Sequence, residues 1–204
     1  MRMSTDGLKE LIKTEGVRYQ VYDDANGRTL YSYSDAIRYP TIGVGHLIYK
    51  PGGVDQRERF KEYLGGGKSM SEKQVMNLLR EDLPKYEDPV AEKIQKPVTK
   101  QMFDALVSLA FNAGPKSYAV KNAITAINNE DYQGASDAIR KGPKTSGGTL
   151  VQGLVKRRNE EADWFLSGGL PTGIRLFGTQ IRILPILAIG SLTLLGYALY
   201  LRRR

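Results

Sequence analysis

TEGVRYQVYDDANG, residues 14–27, sets one glutamate, Glu15, ahead of an alternating run that ends in two aspartates, Asp23 and Asp24. Val17, Tyr19 and Val21 alternate with Arg18, Gln20 and Tyr22, the period-2 pattern of a half-buried strand. DANG then reads as a turn. Carboxylates on either side of a strand are either solvated loop charges or a pair brought to face one another.

The flanks give the strand its setting. Upstream, MSTDGLKELIKTEG is a short amphipathic helix. Ser4, Thr5 and Asp6 are candidate N-caps, Leu8, Leu11 and Ile12 share a face, and Gly16 is the stop. Downstream, RTLYSYS reads as a second strand and YPTIGVGHLI as a third followed by a turn, which makes a small antiparallel sheet. From Ser71 the period becomes helical. Ser71 and Gln74 form a candidate capping box ahead of Val75, Leu78, Leu79 and Leu83. Pro84 ends or kinks that helix, and Pro89 interrupts it again. TKQMFDALVSLAFNAG is a buried helix with Gly114 as its stop. Two shorter helices cover SYAVKNAITAINNED and DYQGASDAIRKG, and LVQGLVKRRNEEADWFLSGG is the last, ended by Gly168 and Gly169. A small sheet followed by helices is an α+β domain.

The composition narrows the chemistry. With 204 residues, 41% hydrophobic and 25% charged, the chain has room for one domain and an appendage. No cysteine is present, which excludes disulfides, thiolate metal ligands and a thiol nucleophile. His46 is the one histidine, so a multi-histidine metal site is excluded as well. The net charge is +8, but residues 171–204 hold five arginines and no acid, leaving 25 basic and 22 acidic side chains in the first 170. That smaller excess is no argument for nucleic acid.

Residues 1–168 are therefore expected to form the domain, with 169–182 as a linker. Ile183 to Leu201 is uncharged, and as a helix of about 1.5 Å per residue it would span roughly 28 Å, close to the hydrocarbon thickness of a bilayer. Tyr197 and Tyr200 sit near its end and Arg202–Arg204 follow, the pattern of a transmembrane helix with a basic end on the cytoplasmic side or its virion equivalent. Pro185, Gly190, Ser191, Thr193 and Gly196 weaken the segment, and a buried core helix is the alternative. The first residues lack the apolar core of a secretory signal.

Hydrolysis of a glycosidic bond needs a shielded carboxylic acid to protonate the leaving oxygen and a carboxylate on the other face of the sugar. Glu15, at a helix end, suits the first role, and Asp24, at the far end of the strand, the second. EGVRYQVYDD followed by TIGVGHL resembles the active-site region of the phage-type (T4-like) lysozymes and endolysins of glycoside hydrolase family 24. The family pattern is Glu, eight residues, Asp, then Thr opening T-I-G-x-G-H. Glu15, Asp24 and Thr41 fit it, and Asp23 breaks the spacing. ALVSLAFNAG and GLVKRRNEEADWFL resemble the family's cleft helix and last helix, so the likeness runs from about Leu8 to Leu166.

The resemblance implies a lysozyme-like fold, a sheet lobe and a helical lobe with a cleft between them. It implies a muramidase that cleaves the β-1,4 bond between N-acetylmuramic acid and N-acetylglucosamine in peptidoglycan, with no metal or cofactor. Glu15 is then the general acid, Asp24 positions or activates the attacking water, and Thr41 helps to hold that water, with inversion at the anomeric carbon. Phe111 and Asn112 match positions lining the saccharide cleft, although a helical Phe also suits the core. His46 is grouped with them as substrate-binding, with a structural histidine as the alternative. Gly43 and Gly45 permit close backbone approach. Arg157 and Arg158 either pair with Glu15 or face solvent.

The chain departs from the pattern between the aspartate and the threonine. The family often has five residues there, and this chain has sixteen, Ala25 to Pro40, rich in tyrosine. The longer connection makes Asp35 a rival to Asp24. The expected function is a membrane-anchored peptidoglycan hydrolase carried in a virion, in contact with lipid and with other virion proteins, and used for entry. The alternatives are a lysis endolysin of the host inner membrane and an inactive wall-binding protein.

Overall fold

Ser4 starts the fold by accepting a hydrogen bond from the Gly7 amide, 3.0 Å, at the head of α1, Thr5–Glu15. The computed structural model describes residues 1–32, 39–48, 63 and 69–171. Leu8 and Leu11 are buried along α1 and Ile12 lies at the margin of that face. Gly16 ends the helix at φ 76°, a left-handed conformation that a side chain would resist. The chain reverses there and enters the sheet.

That sheet has three antiparallel strands in the order β1 (Arg18–Asp23), β2 (Pro40–Gly43), β3 (His46–Leu47). Tyr22 lies opposite Thr41, Asp23 opposite Pro40, and Ile42 opposite His46. The expected alternation holds only in the second half of β1. Val21 is buried but Tyr19 is exposed, and the register slips between Arg18 and Tyr22. Val21, Leu30, Ile42, Ile48 and Leu78 form the small core under the sheet. RTLYSYS does not make the expected strand in its described part. Thr29 makes one isolated bridge with Tyr22, and the Leu30 amide donates to the Val21 carbonyl, so the chain touches β1 and leaves it.

The helices follow. The capping box forms as its sequence implies, and α2, Glu72–Asp82, buries Val75, Leu78 and Leu79. Pro84 opens α3, Pro84–Ala91, as its first residue, where a missing N–H costs nothing. Pro89 lies inside α3 instead of interrupting it. It removes one bond to the Lys85 carbonyl, and Lys85 is exposed, so water can take that place. At the centre is α4, Lys100–Ala113, in which every residue from Met102 to Ala110 is buried. Around it pack α1, α3, α5 (Tyr118–Asn128) and α7 (Gln152–Ser167), with α6, Tyr132–Arg140, against α5 and α7.

Between α6 and α7 is a hairpin the sequence reading missed, β4 (Thr145–Ser146) and β5 (Thr149–Leu150). Its signal was present. Gly147 and Gly148 take φ 55° and 82°, the double positive φ of the tight primed turn that a Gly-Gly pair serves. The N-terminal residues are tied to the helices. Met3 N donates to Glu87, 2.7 Å, Ser4 N donates to Asp104, 2.8 Å, and Arg2 pairs with Glu87 and Asp88.

The architecture is α+β, and residues 1–172 form one compact unit. No helix among the described residues is long and apolar enough to cross a membrane. The candidate span 183–201, and all but the first residues of the proposed linker, lie outside the described residues.

Candidate active site

Glu15 is the last residue of α1, and Gly16 turns the backbone away just after it. Its side chain opens onto a cleft of about 380 Å³. The same cleft is lined by Arg18 and Tyr22 of β1, Asp24 of the following turn, Gly43 at the end of β2 and Gly45 of the β2–β3 turn. Helix end, strand and turn thus bring Glu15 and Asp24 to one cavity.

Behind Glu15 is a buried ionic cluster. Arg157 Nη2 of α7 lies 2.6 Å from Glu15 Oε1, with the arginine side chain 7% exposed and the glutamate 22%. Arg157 Nε also donates to Glu161 Oε1, 3.0 Å, and Ser108 Oγ donates to the same oxygen, 2.8 Å. Burial opposes the charge of Arg157, but Glu15 and Glu161 outweigh it and hold the guanidinium above its ordinary value. Arg158 turns inward, fully buried, and donates to Glu161 Oε1 and to Asn112 Oδ1, each at 3.1 Å. Burial lowers Arg158 and raises Glu161, in each case against its charged partners. The choice left open by the sequence is therefore resolved: Arg157 meets Glu15, Arg158 does not, and neither faces solvent. A second cavity, about 210 Å³, lies along α1 and α7 and holds Glu10, Ser108, Glu161 and Trp164. It shares Ser108, Arg157 and Glu161 with the cluster but contains neither Glu15 nor Asp24.

The two neighbouring aspartates have opposite environments. Asp24 is exposed and lines the cleft. Asp23 is 0% exposed, and its Oδ1 accepts from the Ala25 amide at 2.9 Å. Tyr22 sits between cleft and core. Burial raises its phenol above the ordinary value and the Asp24 charge adds to this, while Arg18, its guanidinium carbon 5.2 Å from the ring centroid, works the other way. Asp35 lies outside the described residues.

The remaining candidates are dispersed. Thr41 is buried in β2 opposite Tyr22, and its hydroxyl donates to the Tyr39 carbonyl, 2.8 Å; it is near the site but does not line the cleft. His46 is outside the cleft lining too. Its Nδ1 is 2.8 Å from Asp82 Oδ2 and its Nε2 3.4 Å from the Tyr63 hydroxyl. Burial raises the Asp82 carboxyl, but His46 and Lys85 outweigh it and hold it below its ordinary value. Phe111 is half-buried and packs on Tyr86, ring centroids 4.8 Å apart. Asn112 is exposed and its oxygen is held by Arg158. Among the described residues no group of three histidine or acidic side chains could hold a metal ion. Sequence reasoning did not single out Arg18 and Tyr22 as cleft residues. Their only signal was position, three and seven residues after Glu15.

An acid and a second carboxylate across one open cleft, with a buried arginine behind the acid, can carry out proton transfer on a substrate held between them. The family model for phage lysozyme matches residues 12–161. The endolysin of Salmonella phage P22 is 31% identical over 167 residues, 82% of this chain and 99% of that protein. The SAR-endolysin of bacteriophage PS119 is 27% identical over 154 residues, 76% of this chain and 77% of that protein. A crystallised variant of P22 lysozyme superposes with a TM-score of 0.63 at 29% identity, covering 82% of this chain and 99% of the other.

Proposed function

Because the chain belongs to the phage lysozyme family and is a glycoside hydrolase that acts on peptidoglycan, we propose that Glu15 and Asp24 carry the reaction at the β-1,4 bond between N-acetylmuramic acid and N-acetylglucosamine. One observation carries this assignment: of the carboxylates around β1, these two line the same cleft. Glu15, having taken a proton from solvent beforehand, gives it to the glycosidic oxygen as the C1–O bond breaks. Water adds to C1 from the opposite face and passes its proton to Asp24. Charge builds on the ring in an oxocarbenium-like transition state, and the anomeric carbon is inverted. Exchange with solvent then returns both carboxyls to their starting state. Thr41 holds the water once its hydroxyl swings from the Tyr39 carbonyl. Phe111, Asn112 and His46 do not line this cleft; their proposed part is to brace the saccharide-binding walls through their contacts with Tyr86, Arg158 and Asp82.

The test is clearing of purified cell walls by the wild type, Glu15→Gln and Asp24→Asn. Each variant is expected to lose about 10²–10⁴-fold in kcat, the range for a general acid or base, while still binding walls. A folded wild type that binds walls of several types and clears none would leave a wall-binding protein on a hydrolase fold.

The finer role is membrane-held and virion-associated, with the domain reaching peptidoglycan during entry. The support is the uncharged run 183–201 and the three arginines after it. An anchor that follows the catalytic domain suits a protein carried to the wall with its membrane. A second reading, a lysis enzyme held in the host inner membrane, is favoured by the endolysin names of its relatives. Detection in purified particles, with loss on lipid extraction, supports the first; absence from particles supports the second.

A further inference from the structure

Asp23 occupies a place that a turn aspartate seldom takes. It is fully buried, yet it is adjacent to the exposed Asp24. Its Oδ1 accepts from Ala25 N at 2.9 Å and faces Tyr39 N at 3.5 Å. Those two amides bracket the lengthened connection. The backbone repeats the arrangement. Asp23 N donates to the Arg28 carbonyl, 2.8 Å, Gly27 N donates back to the Asp23 carbonyl, 2.7 Å, and Asp24 N donates to the Tyr39 carbonyl, 3.1 Å. Asp24 is therefore held between a turn closed on Asp23 and the strand that returns through Tyr39.

We infer that Asp23 is a positioning residue for Asp24: its carboxylate joins the entry and exit of the connection and so fixes the direction in which Asp24 enters the cleft. The inference rests on the reading of Asp24 given above. The physical reason is that a connection of this length leaves its ends loosely placed, and misplacement of a catalytic group by about 1 Å can cost 10²-fold in rate. A side-chain acceptor at Asp23 holds both ends without a donor of its own.

The test compares Asp23→Asn, Asp23→Ala and Asp24→Asn in the full chain. Asparagine keeps an acceptor for the Ala25 amide, so Asp23→Asn should retain wild-type kcat within about threefold. Asp23→Ala should lose at least about tenfold in kcat with KM little changed, the mark of a misplaced group. A folded Asp23→Ala with wild-type kcat overturns the inference and leaves the Asp24 assignment standing. Asp23→Asn inactive while Asp24→Asn is active would overturn both, because Asp23 would then be the reacting carboxylate. Should Asp23→Ala fail to fold, amide exchange in the wild type decides: the Ala25 and Tyr39 amides should be protected at least about tenfold over a free loop, and unprotected amides overturn the inference.

Discussion

Arg157 is where catalysis and stability meet in one side chain. It lies 2.6 Å from Glu15 and 3.0 Å from Glu161, almost out of reach of water. Arg157→Ala leaves two carboxylates facing a gap, and breaking a buried pair in this way costs about 3–5 kcal/mol. The denaturation midpoint should fall accordingly, and wall clearing should fall with it because Glu15 loses its support; unchanged stability would mean that water already screens the cluster. Adjacent arginines point about 100° apart on a helix, so one of Arg157 and Arg158 was bound to miss Glu15. Which one depends on how α7 is rotated against α4, a property of packing that no local pattern encodes. Asp82 gives a pH prediction. Its folded carboxyl titrates below the ordinary value because His46 and Lys85 outweigh burial. Such a group stabilises the fold above its unfolded pKa, near about 4, and that stability is lost as pH falls through the folded value. Asp82→Asn should therefore cost about 1.5–3 kcal/mol near pH 7, and the gap to wild type should narrow below about pH 4. Urea midpoints at neutral and acid pH measure it; a gap constant with pH would assign the effect to packing instead of charge.

The helices were readable where a cap or an apolar period marked them, but the β4–β5 hairpin was missed although its Gly147-Gly148 signal is local. Ser4 and Ser71 cap α1 and α2 through their own side chains, and the apolar faces behind them are buried as their spacing implies. The departures in the three-stranded sheet have tertiary causes. Half of β1 is exposed because the sheet core beneath it is small. RTLYSYS has strand-like residues, yet its described part makes only one bridge to β1. Helix packing gives a prediction on two glycines. A Cβ on Gly7 would lie 2.6 Å from Asp104 Cγ and 2.7 Å from Met3 Cγ. The first turn of α1 therefore approaches α4 too closely for any side chain. Gly7→Ala should cost about 1–3 kcal/mol by overpacking, although alanine is the better helix former. Gly153, inside α7, has nothing within 4 Å of such a Cβ, and Gly153→Ala should gain about 0.4–1 kcal/mol. Melting curves of the two variants should move in opposite directions; a rise in both would mean that propensity outweighs the close contacts at Gly7.

At the scale of the whole chain, charge and hydropathy divide at the same place as the fold. Residues 1–172 form the compact unit, and the five arginines beyond residue 170 account for most of the net charge of +8. The hydrolase and the apolar tail should therefore be separable in function. Residues 1–171 contain the cleft, the ionic cluster behind Glu15 and, among the described residues, the helices that pack around α4, so this fragment should hydrolyse soluble wall fragments with the kcat of the full chain. Flotation with vesicles should separate the two proteins. The full chain should float with neutral as well as anionic vesicles and stay bound at high salt, because an inserted apolar span is held by burial, which salt does not screen. Residues 1–171, with a small basic excess, should remain in the aqueous fraction. If the full chain instead floated only with anionic vesicles and left them at high salt, the arginines would be binding headgroups and the apolar run would not be inserted. Wall clearing would still proceed in that case, because none of its proposed groups lies in the tail, but the anchored entry role would lose its physical basis.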